Sequence, residues 1–330
     1  MKKLIILLSA LAILFVVFGY KFYSGAIRFA LDPLHSERVM VDVKKGSTAT
    51  EVAETLYQKG LIKSPLIFRY YITSKGLDEK IKSGRMVLMS NYTLPQIADA
   101  LVSGKSVEMP ATILEGWTIR QIGEYLQGLG LTTVESFVDC SKTCDLKNDI
   151  LPGGYTEGYL YPDTYFVDVE SYSDRTFISR LINTLNNKLT DEDWDNIKKS
   201  GRKFADIMIM ASIVEREEGN SEERPTVAGI LWNRLDANQG LGADATILYA
   251  LGRTKGGLTA QDLEIDSQYN TRKYRGLPPT PICNPSISAI RAAISPAKTD
   301  YWYYLHDSEG NVHYARTLDE HNINKAKYIR

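Results

Sequence analysis

The segment FADIMIMASIVEREEG, residues 204–219, closes an apolar run with Glu215, Glu217 and Glu218. A carboxylate set directly against Ile213 and Val214 is costly to ionise, so desolvation raises its pKa and keeps it protonated near neutral pH. Such a group can work as a general acid. Length and the closing Gly219 predict a single helix, buried on most sides because Ile207–Val214 is nearly all apolar. At about 100° per residue, Glu217 points about 200° away from Glu215 and Glu218 about 60° away. Glu215 and Glu217 therefore cannot share one pocket, and Glu215 is the one that borders the apolar run. Taken alone, the pattern also suits a helix end meeting water.

Downstream residues offer polar partners. VAGILWNRL predicts a helix ending in Asn233 and Arg234, followed by a Gly-rich loop that carries Asp244 and Thr246. Tyr269, Asn270 and Asn284 then flank Gly276-Leu277-Pro278-Pro279, a run that cannot be helix or central strand. A rigid loop with aromatic and hydrogen-bonding side chains suits a sugar. Each polar residue also has a structural reading: Asn233 capping its helix, Asp244 bracing a turn, and Asn284 capping the helix of SISAIRAAI. LPGGYTEGYLYPDTYFVD reads as an ordered loop with aromatic walls, in which Glu157 and Asp163 can line the cleft, although a structural role is the first expectation.

The elements that must position these residues show a repeated pattern. VDVKKGSTATEVAETL reads as strand, Gly46 turn and helix, with Thr48, Val52 and Leu56 four apart. Thr93, Ile97 and Leu101 repeat it, and so do Thr118, Ile122 and Leu126. Each Thr stands where an N-cap belongs, with Glu or Gln three residues on. These three β–turn–α units predict a compact α+β domain.

At the N-terminus, Lys2 and Lys3 precede Leu4–Tyr20, broken only by Ser9 and Gly19. A helix of that length spans roughly 25 Å, enough to reach across a bilayer. Tyr20, Phe22 and Tyr23 suit the interface, and the flanking lysines favour a cytoplasmic tail with an exported body. The run carries no A-x-A site of a cleaved signal, so a retained transmembrane anchor is expected.

The 39 basic and 40 acidic residues leave a net charge of −1, which gives no electrostatic case for nucleic acid. His35, His306, His313 and His321 show no metal-binding spacing, and no metal or other cofactor is expected. Cys140 and Cys144 can form a bridge in an oxidising compartment or remain free thiols.

Taken in order, LEGWT, EGYLYPDTY, ASIVEREE, WNRL, DATILYALG, YNT, GLPPTPICNP, AAISPA and YYLHDSEGNVHYARTLDEHN resemble the endolytic murein transglycosylases across nearly the whole chain. The resemblance implies a membrane-anchored lyase that cleaves the MurNAc-β-1,4-GlcNAc bond of peptidoglycan to leave 1,6-anhydro ends. It places Glu215 at the catalytic glutamate, with Asn233, Asp244, Thr246, Tyr269, Asn270 and Asn284 as candidate sugar contacts. The implied fold class is α+β: an N-terminal transmembrane helix, a small LysM-like β–turn–α domain, then a mixed α/β catalytic domain with Glu215 on a buried helix. Expected boundaries are 1–23 for the tip and anchor, 24–37 for a connector, 38–107 for the LysM-like domain and 108–330 for the catalytic domain. The implied partners are glycan strands, the inner membrane and peptidoglycan synthases of elongation or division. Two alternatives remain: a hydrolytic muramidase pairing Glu215 with Asp244 or Asp163, and a non-catalytic peptidoglycan-binding scaffold.

Overall fold

A computed structural model describes residues 21, 23–28, 30–31, 37–104, 108–146, 148–153, 155–169 and 171–329. The expected anchor, Leu4–Tyr20, lies outside the described residues. Among the described residues no helix is long and apolar enough to cross a membrane. The chain forms two units, Met1–Pro110 with Phe166–Tyr172, and Ala111–Tyr165 with Ser173–Arg330. The sequence-based division at 107/108 did not include the return of Phe166–Tyr172 to the first unit.

In the first unit, β1 (Arg38–Val43) leads into α1 (Ala49–Gln58) and α2 (Pro65–Ser74), then a single turn of tighter helix at Asp78–Lys80, β2 (Gly84–Met89) and α3 (Leu94–Ser103). Thr48 and Glu51 form a reciprocal capping box at α1, and Thr93 with Gln96 does the same at α3. The repeat positions Val52, Leu56, Ile97 and Leu101 are all buried, together with Val41, Phe68, Ile72 and Leu88. Four-residue spacing therefore marked the correct helix faces. It did not show how the strands pair: β1 and β2 are antiparallel, from Arg38 opposite Met89 to Val43 opposite Gly84. A lone strand leaves its N–H and C=O groups unpaired, so the strands of two successive repeats satisfy each other across the intervening helix pair.

The strand of the third repeat, β3 (Glu108–Thr112), pairs instead with the distant β4 (Thr164–Asp168). Between them lie α4 (Ile119–Gly128) and α5 (Val134–Thr143). Cys140 and Cys144, one helical turn apart at the end of α5, form a disulfide, while Cys283 is free and buried. Next come α6 (Asp174–Lys188), α7 (Asp191–Ser200), α8 (Phe204–Glu217), α9 (Arg224–Asp236), α10 (Asp244–Ala250), α11 (Ala260–Leu263) and α12 (Ile287–Ile294). A hairpin of β5 (Tyr303–His306) and β6 (Val312–Ala315) precedes α13 (Leu318–Tyr328).

Helix α8 is the hub of this unit. Every residue from Ile207 to Val214 is buried, and α9, α10 and α12 pack around the helix. Asp244 and Thr246, expected in a loop, lie in the first turn and a half of α10 instead. Gly240 and Gly242 end before that helix, and Ala245, Ile247 and Leu248 then give it an apolar face to bury.

Gly229 is the tightest point in α9. A Cβ there would stand 2.2 Å from the carbonyl oxygen of Ala297, whose own N–H donates to the carbonyl of Pro225 at 2.9 Å. Gly229→Ala gains about 1 kcal/mol of helix propensity. Displacing a buried main chain costs about 1–3 kcal/mol, so the net sign is destabilising. Thermal unfolding of the variant should show a lower Tm, and a raised Tm would mean the Ala297 segment yields freely.

Candidate active site

Glu215 sits in the last turn of α8, with only 7% of its side chain exposed. Its Oε2 accepts the Ser286 N–H at 2.9 Å and the Ser286 hydroxyl at 2.5 Å. Its Oε1 accepts from Arg224 Nη2 at 2.9 Å. Ser286 is the N-cap of α12, so its free N–H points out of a helix start toward the carboxylate. The Arg224 guanidinium, 6% exposed, also donates to the Ser286 and Ser288 hydroxyls and to the carbonyl of Glu218. Burial raises the pKa of Glu215; the Ser286 bonds and Arg224 pull it down, and the nearby Glu115 charge adds to the rise. The net direction is upward. Gly116 leaves room beside the carboxyl: its missing Cβ would lie 3.8 Å from Glu215 Cγ.

The other two glutamates have other partners; helix geometry required this of Glu217, whereas Glu218 lies just past the helix end. Glu217 accepts the Tyr304 hydroxyl at 2.9 Å. Its pKa is raised by burial, against the lowering effect of that bond. Glu218 pairs with His306 Nε2 at 2.9 Å and accepts the Asn220 N–H at 2.6 Å. Its main-chain carbonyl accepts from Arg224 Nε at 2.9 Å and so helps to fix the partner of Glu215.

The expected sugar contacts fall into separate groups. Thr246 is fully buried, its hydroxyl donating to the Ala243 carbonyl and meeting Thr271 at 3.0 Å. Asn270 is also fully buried, and its amide holds the Leu263 and Ile265 carbonyls. These two have no polar atom left open to a ligand. Asp244, more than half exposed, is held by Arg272 on the first turn of α10. Asn233 donates to the Thr299 carbonyl at 2.9 Å.

Asn284 lies two residues before Ser286, and Tyr269 packs on the wall that Tyr249 shares with Glu157. Asn284 does not cap α12; its Oδ1 accepts the Leu160 N–H, and its Nδ2 donates to the Trp117 carbonyl and, at 3.4 Å, to Glu157. Its main chain also pairs with Gly116 and Trp117, each at 2.8 Å. Asn284 thereby fastens the LEGWT loop two residues before Ser286. The Tyr269 ring lies 5.0 Å from that of Tyr249, whose hydroxyl reaches Glu157 at 3.3 Å. Sequence reasoning missed Arg224, Ser286 and Ser288. A Ser directly before ISAIRAAI was a legible cap signal, whereas the charged stretch SEERP gave no sign that its arginine turns inward.

A profile of the YceG-like family matches residues 41–327. The chain belongs to the YceG-like family. It is 32% identical over 333 residues to a protein of Bacillus subtilis (strain 168) named endolytic murein transglycosylase, covering 95% of this chain and 91% of that one. A protein of the same name from Streptococcus pneumoniae serotype 2 is 29% identical over 345 residues, covering 94% of this chain and 62% of the streptococcal one. The 2.6 Å crystal structure of a yceG-like protein from Listeria monocytogenes matches with a TM-score of 0.60 at 30% identity, covering 88% of this chain and 99% of that one.

One further carboxyl in this YceG-like fold is strongly perturbed. Glu157 is 8% exposed and accepts the Ile119 N–H at the start of α4, at 3.1 and 3.3 Å. It borders a cavity of about 480 Å³ walled by Thr118, Tyr155, Tyr249 and Arg253. Burial pushes its pKa up to about 8, against the lowering effect of the Ile119 and Tyr249 bonds. A raised folded-state pKa means that folding favours the protonated form. This contribution to stability is complete below the unfolded value of 4.5 and is lost as pH rises through about 8. Glu157→Gln removes that proton linkage. Between pH 5 and 8 the Tm of the variant should fall less than that of the native protein, and parallel curves would mean Glu157 is ionised throughout.

Proposed function

We propose that this protein is an endolytic peptidoglycan lytic transglycosylase in which Glu215 is the catalytic acid and base. The observation that carries this reading is the geometry of one buried carboxyl with a raised pKa, held by the Ser286 N–H and O–H on one oxygen and by Arg224 on the other. The names of the bacillary and streptococcal relatives support the same reaction.

Protonated Glu215 gives its proton to the glycosidic oxygen as the bond from MurNAc C1 breaks. The resulting carboxylate, stabilised by Arg224 and Ser286, takes the proton of the muramyl 6-hydroxyl as that oxygen bonds to C1. Glu215 is restored and no water is consumed. A glycoside hydrolase normally needs a second carboxylate as nucleophile or base for water. Asp163 pairs with Lys188 at 3.2 Å and Asp244 with Arg272, and neither bonds to Glu215 or to its partners Arg224 and Ser286 among the described residues. The acid whose charge reaches Glu215 is Glu115.

Membrane anchoring through Leu4–Tyr20, an extracytoplasmic body and action on nascent strands beside peptidoglycan synthases complete the proposal, supported by the apolar run and its flanking lysines. A LysM-like role in glycan binding for the first unit is supported by its strand–helix–helix–strand order. The reaction is tested by digesting defined glycan strands and weighing the products. Ends lighter by one water, as anhydro sugars, are expected; hydrated reducing ends would establish a muramidase, and no cleavage with retention on glycan a scaffold.

A further inference from the structure

The first unit begins immediately after the apolar run. Residues 21 and 23–28 are helical, Ala26 is buried in the unit's core, and Tyr23 and Ile27 pack against it. Three residues reach at most roughly 10 Å even when extended, so Tyr23 stays within that distance of Tyr20. No free linker separates the proposed span from the folded unit. The interfacial layer on each side of the hydrocarbon is about 5–7 Å deep, which puts Tyr23 in or next to it.

Tyr23 in turn marks one face of α2. Its ring meets that of Tyr70 edge-on, with centroids 5.5 Å apart. Leu66 and Tyr70, one turn apart, are 74% and 64% exposed, and Leu66 is the most exposed large hydrophobic residue among those described. Arg69 and Thr73 are exposed on the same side, at the third and seventh positions from Leu66, and Lys63 is exposed just before the helix. The opposite face, Ile67, Phe68 and Ile72, is in the core. A leucine and a tyrosine beside cations is the composition of a helix that lies in a membrane interface: the apolar parts enter the acyl boundary and the cations meet lipid phosphates. In water the same pair is a persistent hydration cost.

We propose that the outward face of α2, centred on Leu66 and Tyr70, docks onto the anionic surface of the bilayer that holds the anchor. The proposal rests on the anchor reading of Leu4–Tyr20. It adds a second contact, which fixes how the first unit is turned on the membrane instead of letting it swivel about the span.

The full chain is reconstituted into vesicles of phosphatidylglycerol and phosphatidylethanolamine, with an environment-sensitive fluorophore on one introduced cysteine at a time: Ala12→Cys, Leu66→Cys or Tyr70→Cys. Cys140 and Cys144 are bonded and Cys283 is buried, so the new thiol takes the label. Brominated lipid should quench all three labels, and aqueous iodide should quench none of them. If iodide quenches positions 66 and 70 while lipid quenches position 12, the anchor stands and the docking face is overturned. Iodide quenching at position 12 overturns the anchor and the docking with it. Labels at 66 and 70 shielded from both quenchers would show that protein, not lipid, covers the face.

Discussion

Glu215→Gln should abolish release of anhydro-ended fragments, lowering turnover by roughly a thousandfold or more, while the protein stays folded. One proton transfer by a placed acid or base contributes roughly a hundred- to ten-thousandfold, and here one carboxyl serves both half-reactions. The amide keeps shape and volume but can neither give nor take the proton. It also cannot satisfy its surroundings. Arg224 donates to one oxygen and Ser286 to the other, so either amide orientation turns an NH2 group toward a donor. That mismatch costs about 1–3 kcal/mol. The cost is offset because the neutral amide has no buried charge to desolvate. Circular dichroism and Tm should therefore stay near native values while product release vanishes. Glu217→Gln changes a partner of Tyr304 and Glu218→Gln a partner of His306, and both should keep most activity. Near-normal turnover in Glu215→Gln together with loss in either neighbour would assign the chemistry to the wrong glutamate.

Arg224→Met should be the most damaging change outside the carboxyl itself. The guanidinium donates to Glu215, Ser286, Ser288 and the Glu218 carbonyl, and both members of the Arg224–Glu215 pair are almost fully shielded from water. Removing one partner of a buried pair costs about 3–5 kcal/mol, because the remaining charge is left uncompensated. The sign of the pH dependence follows from the field of Arg224, which lowers the Glu215 pKa. Without it that pKa rises further, so folding of the variant favours protonated Glu215 more strongly than in the native protein. The loss of Tm should be smallest below the ordinary carboxyl value of 4.5 and grow toward neutral pH. Turnover should fall about a hundredfold even where the variant is folded, since the carboxylate needed for the second proton transfer loses its counter-charge. Native Tm and turnover at pH 7 would rule out a role for Arg224 in holding Glu215.

Much of the local structure was legible because short-range rules dominate there. Thr48, Thr93 and Thr118 cap the helices they precede, and Val52, Leu56, Ile97 and Leu101 face the core, since helix periodicity and capping act within four residues. The separation of Glu215 from Glu217 was likewise fixed by helical rotation alone. Asp244 and Thr246 were misplaced onto a loop because glycines just before them masked a short helix whose stability comes from burying Ala245, Ile247 and Leu248. Thr246 and Asn270 looked like ligand contacts because a polar residue in a loop reads the same whether it faces solvent or ties down buried main chain.

The sequence by itself determined the capped helices of the repeats and the helix that carries Glu215, which glutamate borders the apolar run, and which family motifs occur in order. Those properties depend on neighbours within a turn or two of helix. Only the tertiary structure decided that β1 pairs with β2 while β3 pairs with the distant β4, that Arg224 turns inward, and that Ser286 meets Glu215 across 71 residues. The physical reason is common to all three. A buried strand edge, cation or carboxyl must find a partner, and which one it finds depends on where the packing of separate helices brings the chain back.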